Sequence, residues 1–230
     1  SGAPPLYAMK GNYRVHHSLG DGDFSNIADV YRDFTACQVN ITPENASFEI
    51  DRAILTALRT RKPVNIQLPS NITYLTIETD MEHLAPIIPS SDPERLKSAL
   101  EKTMNMYRAA KRPLVLVDMD VDRLQMTDIL EEWIEKTRIP FAAMSTGKAI
   151  LSEQHPLYIG TYKGDDSDPG VQDRVENADF LLCVSPRFIE WNSGQYSVNL
   201  PEDKLVRLAR DYVLIGEEDF EGIYGKELME

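Results

Sequence analysis

Two adjacent histidines, His16 and His17, make up half of the chain's four, and they run straight into the turn-forming Gly20-Asp21-Gly22. Histidine has an unperturbed pKa of about 6.5, so it can carry protons near neutral pH. Neighbouring residues cannot share one helix or strand face, so one ring can enter a cleft while the other braces it. Spacing alone leaves a surface or capping pair equally open. Asp21 between its glycines could offer a hard cation such as Mg2+ a carboxylate.

The remaining chemistry-bearing residues are sparse. His83 and His155 have no Cys, His or carboxylate partner at ligand spacing. There is no G-x-S-x-G and no C-x-x-C. Gly160-Thr161-Tyr162-Lys163-Gly164 and Gly194 suggest a dinucleotide loop, yet no G-x-G-x-x-G follows a strand. Val117-Asp118-Met119-Asp120 also sets acids where a pyrophosphate needs amides. A cofactor-free structural domain is the better reading of that region.

Composition narrows the classes further. A net charge of −13 argues against a nucleic-acid partner, which needs clustered Lys and Arg. No apolar run approaches the ~20 residues of a membrane span, and no basic-then-apolar leader is evident. The two cysteines, Cys37 and Cys183, lie far apart in apolar runs and read as buried free thiols. The expectation is a cytosolic protein with neither nucleic-acid nor membrane partners.

The elements that must position these residues alternate. Ser25 can cap a helix over 26–33, and 36–41 reads as a strand. Thr42-Pro43-Glu44 supplies a cap, a first-turn proline and an acid for the next helix. Its expected buried stripe is Ala46, Phe48, Ile50, Ala53, Ile54, Ala57 and Leu58, with Arg59, Arg61 and Lys62 at the negative end of the dipole. Pro63 stops it before a strand over 64–68. Strand–helix–strand implies a parallel layer, but too few strands precede residue 75 to complete one. An incomplete α/β domain is therefore expected over 1–75, a linker over 76–91, and a second domain over 92–230.

In that second domain Asp92-Pro93-Glu94 starts a helix, and 113–118 is a continuous apolar run expected as a buried parallel strand. A helix over 127–136, a strand over 140–144, the Gly-rich loop, a helix over 169–175 and strands over 179–184, 205–209 and 212–215 follow. Units of this size predict an α/β, doubly wound, Rossmann-like domain.

The run from His16 to Phe24 resembles the double-histidine signature of thiamine-diphosphate-dependent 2-oxo acid decarboxylases, the pyruvate and indolepyruvate decarboxylase family. So do Ile41-Thr42-Pro43-Glu44-Asn45-Ala46, Glu49-Ile50-Asp51-Arg52 and the stretch from Arg61 to Pro69. Lys111-Arg112-Pro113-Leu114-Val115, Ile139-Pro140-Phe141, Gly147-Lys148 and Asn177-Ala178-Asp179-Phe180 come in the family's order. The resemblance implies the end of a pyrimidine-binding domain followed by the central domain. It also implies an enzyme releasing an aldehyde and CO2, with thiamine diphosphate accepting the electron pair freed as CO2 leaves. His16 and His17 would transfer protons around the carboxylate and as the aldehyde departs. Gly20-Asp21-Gly22 belongs, by the same resemblance, to the histidine loop.

The segment from Ile189 to Tyr196 is similar to the family's loop at the substrate pocket, with Glu190 in an Asp place and Trp191 in the variable place whose bulk helps select the 2-oxo acid. Packing the domain edge is an equally open role for Trp191. The resemblance further implies a homo-oligomer, a glutamate before Ser1 that activates the cofactor, and Mg2+ and diphosphate ligands after Glu230. The chain alone is therefore expected to bind no cofactor and to be inactive. Two alternatives stand: a non-enzymatic Rossmann-like module with structural histidines, or an acetohydroxyacid synthase-type enzyme, whose family lacks the double histidine.

Overall fold

A computed structural model describes residues 9–10, 13–14, 25–79, 84–85 and 89–230, with the backbone only for 9–10, 13–14 and Ile27. The chain divides into two compact units, Ser1–Ile88 and Pro89–Glu230.

In the first unit, β1 (Met9–Lys10) and β2 (Tyr13–Arg14) pair antiparallel. Helix α1 (Asn26–Tyr31) precedes β3 (Gln38–Asn40), α2 (Ala46–Thr60) and β4 (Asn65–Gln67). Strands β3 and β4 are parallel, Gln38 opposite Asn65, and bonds from Ala36 N to the Pro63 oxygen (2.8 Å) and Ile41 N to the Gln67 oxygen (2.9 Å) continue the ladder at both ends. A crossover helix between parallel neighbours is what the sequence requires.

Two details of α2 differ from expectation. It starts at Ala46, because the Asn45 side chain accepts the Thr42 N–H (2.8 Å) and donates to the Asn40 carbonyl (3.1 Å), spending residues 42–45 on a turn. Its apolar stripe is also only half covered. Ala46 and Ala53 are buried with Val39 and Ile41, while Phe48, Ile54 and Leu58 are exposed, since the β3–β4 ladder is narrower than the stripe. The helix ends as read, with Arg61 in the left-handed conformation (φ 52°) two residues before Pro63.

The second unit opens with α3 (Pro93–Ala109), whose N-cap Asp92 accepts the Arg95 N–H at 2.9 Å. Then come β5 (Pro113–Val117), the short α4 (Asp120–Arg123), α5 (Thr127–Thr137), β6 (Phe141–Met144), β7 (Tyr158–Tyr162), α6 (Pro169–Glu176) and β8 (Phe180–Val184). Strands β9 (Leu205–Leu208), β10 (Tyr212–Ile215), β11 (Glu218–Glu221) and α7 (Gly225–Met229) complete it. The seven-stranded sheet has the order β11-β10-β9-β8-β5-β6-β7. Strands β5 to β9 are mutually parallel, and β10 and β11 add an antiparallel hairpin at one edge. This is the expected Rossmann-like α/β layer, extended by a hairpin strand and by α4.

The Gly-rich segment is a loop only in its second half, at Gly164 (φ 55°): Gly160 lies within β7, where a Cβ would meet Val171 Cγ2 of α6 at 2.6 Å. Glycine there permits close helix–strand packing. Alternate residues of β5 and β8 face opposite ways. Val115, Val117, Phe180 and Leu182 pack beneath α3 and α5, and Leu114, Leu116, Leu181 and Cys183 beneath α6. Burial on both faces is why these strands read as unbroken apolar runs. Among the described residues no helix is long and apolar enough to cross a membrane.

Candidate functional site

Five parallel strands point their C-terminal ends at one edge, where ligands of open α/β sheets bind at the point of strand-order reversal. That point lies between β5 and β8. The chain leaves β5 through α5 toward β6 on one side, and β8 leads to β9 on the other. Asp118, fully buried, sits immediately after β5. Its Oδ1 accepts the Met119 N–H (2.7 Å) and the Thr146 hydroxyl (2.5 Å), and its Oδ2 accepts the Arg187 N–H (2.7 Å). A carboxylate of the chain thus takes the amides that an incoming phosphate would need.

Glycine makes the contact possible on the β6 side. A Cβ on Gly147 would lie 2.6 Å from the Val117 oxygen and 2.8 Å from the Asp118 Cα, so only glycine lets the turn 145–147 press against β5. From Thr146 the chain of bonds runs on to fully buried Asn192, whose Nδ2 donates to Thr146 Oγ1 (2.9 Å) and to the Arg187 carbonyl (2.7 Å). Asn192 Oδ1 accepts the Ile189 N–H at 3.0 Å, so both the amide nitrogen and the amide oxygen are engaged. Arg187 also reaches Asp120 (2.9 Å), which Arg123 pairs from its other oxygen (2.9 Å).

Trp191 stands in the turn Glu190–Asn192 with 61% of its surface exposed. The turn is fixed from within by Asn192 and by Ser193, whose buried hydroxyl donates to the Ile189 carbonyl at 2.6 Å. Gly194 (φ 56°) and Gly164 (φ 55°) interlock behind it. Side chains there would collide with the Lys163 and Ser193 carbonyls, and Ser197 Oγ accepts the Asp165 N–H at 2.8 Å. The 189–197 turn is therefore welded to the end of β7.

The other sequence candidates fall as follows. His16, His17, Gly20, Asp21, Gly22 and His83 lie outside the described residues. His155, read as unpartnered, meets a carboxylate from α5: its Nε2 is 2.7 Å from Glu135 Oε1, and its Nδ1 accepts the Leu157 N–H (3.1 Å). Since Nδ1 accepts, Nε2 carries the proton toward Glu135, which that bond and Arg138 hold below the usual carboxylate range. Cys37 and Cys183 are free; Cys37 is only half-buried, against the expectation of a buried thiol, while burial pushes the Cys183 thiol up, so Cys183 does not read as a nucleophile.

Tyr162 is fully buried, its ionisation suppressed by burial and by the bond it donates to Glu176 (2.9 Å), a structural role. Asn177-Ala178-Asp179-Phe180 and Lys111-Arg112-Pro113 meet in space, Asp179 accepting the Lys111 (2.8 Å) and Arg112 (2.7 Å) amides. Sequence reasoning missed Thr146, Arg187 and Asn192. The only signal was Asp118, a carboxylate closing an apolar strand.

Comparison with known proteins agrees with this architecture. The family described as thiamine pyrophosphate enzyme, central domain, matches residues 100–223. A pyruvate decarboxylase of Kluyveromyces lactis is 30% identical over 98% of this chain and 40% of its own length. One of Kluyveromyces marxianus is 29% identical over 100% of this chain and 41% of its own length. Pyruvate decarboxylase isozyme 1 of Saccharomyces cerevisiae is likewise 29% identical over 100% of this chain and 41% of its own length. The chain thus spans about two-fifths the length of these relatives. More than half of its residues fall within the matched domain, and the chain belongs to the thiamine pyrophosphate enzymes through their central domain.

Proposed function

We propose that this chain is part of a thiamine-diphosphate-dependent carboxy-lyase that converts a 2-oxo acid, pyruvate or another short one, to an aldehyde and CO2. The observation that carries this reading is the 30% identity running over 98% of the chain to a protein named as a pyruvate decarboxylase. His16 and His17 are assigned to proton transfer and Trp191 to the wall of the substrate pocket. The enzyme is read as a cytosolic homo-oligomer. Against an acetohydroxyacid synthase-type activity stands the double histidine. Against a non-enzymatic module stands the extension of the likeness beyond the central domain into residues 1–99.

The described residues do not fit the cofactor. Among them no three His, Cys, Asp or Glu side chains gather as a metal site. The sheet's switch point is taken by Asp118, whose bonds to Met119 and Arg187 leave those amides nothing to offer a diphosphate. Residues outside the described ones would hold it, and the chain alone is read as inactive. The test is product analysis. The full-length protein with thiamine diphosphate and Mg2+ should release acetaldehyde from pyruvate and little phenylacetaldehyde from phenylpyruvate, while the 230-residue chain releases neither. Acetolactate as the main product would favour the synthase reading.

A further inference from the structure

We infer that Thr146 is a positioning residue for substrate selection: with Asp118 and Asn192 it forms a buried hydrogen-bond chain that fixes the direction in which Trp191 presents its indole. The inference rests on the reading of Trp191 as pocket wall. Its basis is geometric. Asn192 Nδ2 donates to Thr146 Oγ1 (2.9 Å), and Thr146 Oγ1 donates to Asp118 Oδ1 (2.5 Å). The hydroxyl is donor and acceptor in series, an arrangement in which each bond polarises the next. At its far end Asp118 is held by two backbone amides, so the chain ends on groups that cannot rotate away.

Two features separate this from ordinary loop packing. Asn192 and Ser193 are 0% exposed while their neighbour Trp191 is 61% exposed. The polar side chains of the turn thus point inward and are fully used, and the large apolar one points outward. Burying polar groups costs stability unless they are hydrogen-bonded, and the bonds of Asn192 and Ser193 remove that cost while fixing the backbone that carries the indole. The bonds also come from three different strand ends, β5, β6 and β8, so the turn's place is set by the sheet rather than by its own sequence. A rigid aromatic loses little freedom when a substrate packs on it, which is how a side chain discriminates by shape.

Thr146→Val keeps shape and removes the hydroxyl, and Thr146→Ser restores it. In the 230-residue chain a Trp133→Phe background leaves Trp191 as its one indole, so its fluorescence reports on this turn alone. Time-resolved anisotropy of that chain should show a larger fast component for Trp191 in Thr146→Val and the parental value in Thr146→Ser. Amide exchange at Ile189 and Asn192 should quicken about five- to tenfold, the ratio one hydrogen bond's net contribution gives. The pyruvate-to-phenylpyruvate ratio of kcat/KM should fall about three- to tenfold through KM, with kcat for pyruvate largely kept.

Trp191→Ala distinguishes the two readings. If it shifts the ratio and Thr146→Val does not, the positioning role is overturned and the pocket reading stands. If neither shifts the ratio, the pocket reading fails and selection falls with it. Unchanged anisotropy and exchange in Thr146→Val overturn the inference whatever the kinetics.

Discussion

The Asp118 carboxylate accepts the backbone N–H of Arg187 at 2.7 Å, bridging the ends of β5 and β8 where an open α/β sheet ordinarily receives a ligand. The carboxylate is fully buried and holds two further donors, Met119 N and Thr146 Oγ1. The crevice is closed from inside by the chain itself.

Removing that acceptor should be expensive. Asp118→Ala takes the acceptor from two part-buried amides and a part-buried hydroxyl, each loss costing about 1–3 kcal/mol less whatever water recovers. A loss of about 3 kcal/mol is expected in urea unfolding of the 230-residue chain, read on the transition that Trp133 reports. A change under about 0.5 kcal/mol, the surface level, would show that Asp118 closes nothing.

The glycines of the 189–197 turn give a second expectation. At Gly194 (φ 56°) a Cβ meets the Lys163 carbonyl, whereas at Gly222 (φ 73°) nothing lies within 4 Å. Gly222→Ala should cost only the left-handed strain, about 1–2 kcal/mol, and Gly194→Ala clearly more. Denaturation midpoints of the two variants measure the difference directly, and equal costs would refute the interlock.

Asp179 sets a pH dependence. Burial pulls its carboxyl upward, but the Lys111 and Arg112 amides outweigh that and hold it below the usual aspartate range. A group depressed on folding contributes stability above its unfolded pKa of about 3.9 and loses it as pH falls through the folded value. Asp179→Asn should therefore lower Tm near pH 7, and the gap to the parent protein should narrow as pH falls below the ordinary aspartate value of about 3.9. Tm scans across that range check it, and a gap that persists at low pH would point to shape rather than charge.

How far the sequence disclosed this depends on how local each feature is. Asp92-Pro93-Glu94 and Thr42-Pro43-Glu44 carry the same start signal, yet only the first begins a helix. Asp92 is free to cap Arg95, while Asn45 diverts the second into a turn. Gly160 suggested a loop because glycine marks turns, though here it admits Val171 against a strand. The apolar runs of β5 and β8 were legible because burial on both faces leaves no other composition possible. Asp118, Thr146 and Asn192 were not, since their bonds span 28 and 46 residues and exist only once the strand order is set. His155 found Glu135 twenty residues away for the same reason.

The central claim is that His16 and His17 carry protons in a 2-oxo acid decarboxylase, and the steady-state release of acetaldehyde from pyruvate tests it most directly. With the full-length protein, thiamine diphosphate and Mg2+, His17→Ala should lower kcat by about 10²- to 10⁴-fold, the usual loss of general acid–base help, with cofactor affinity little changed. Normal turnover in that variant, or no aldehyde from the parent protein, would contradict the account.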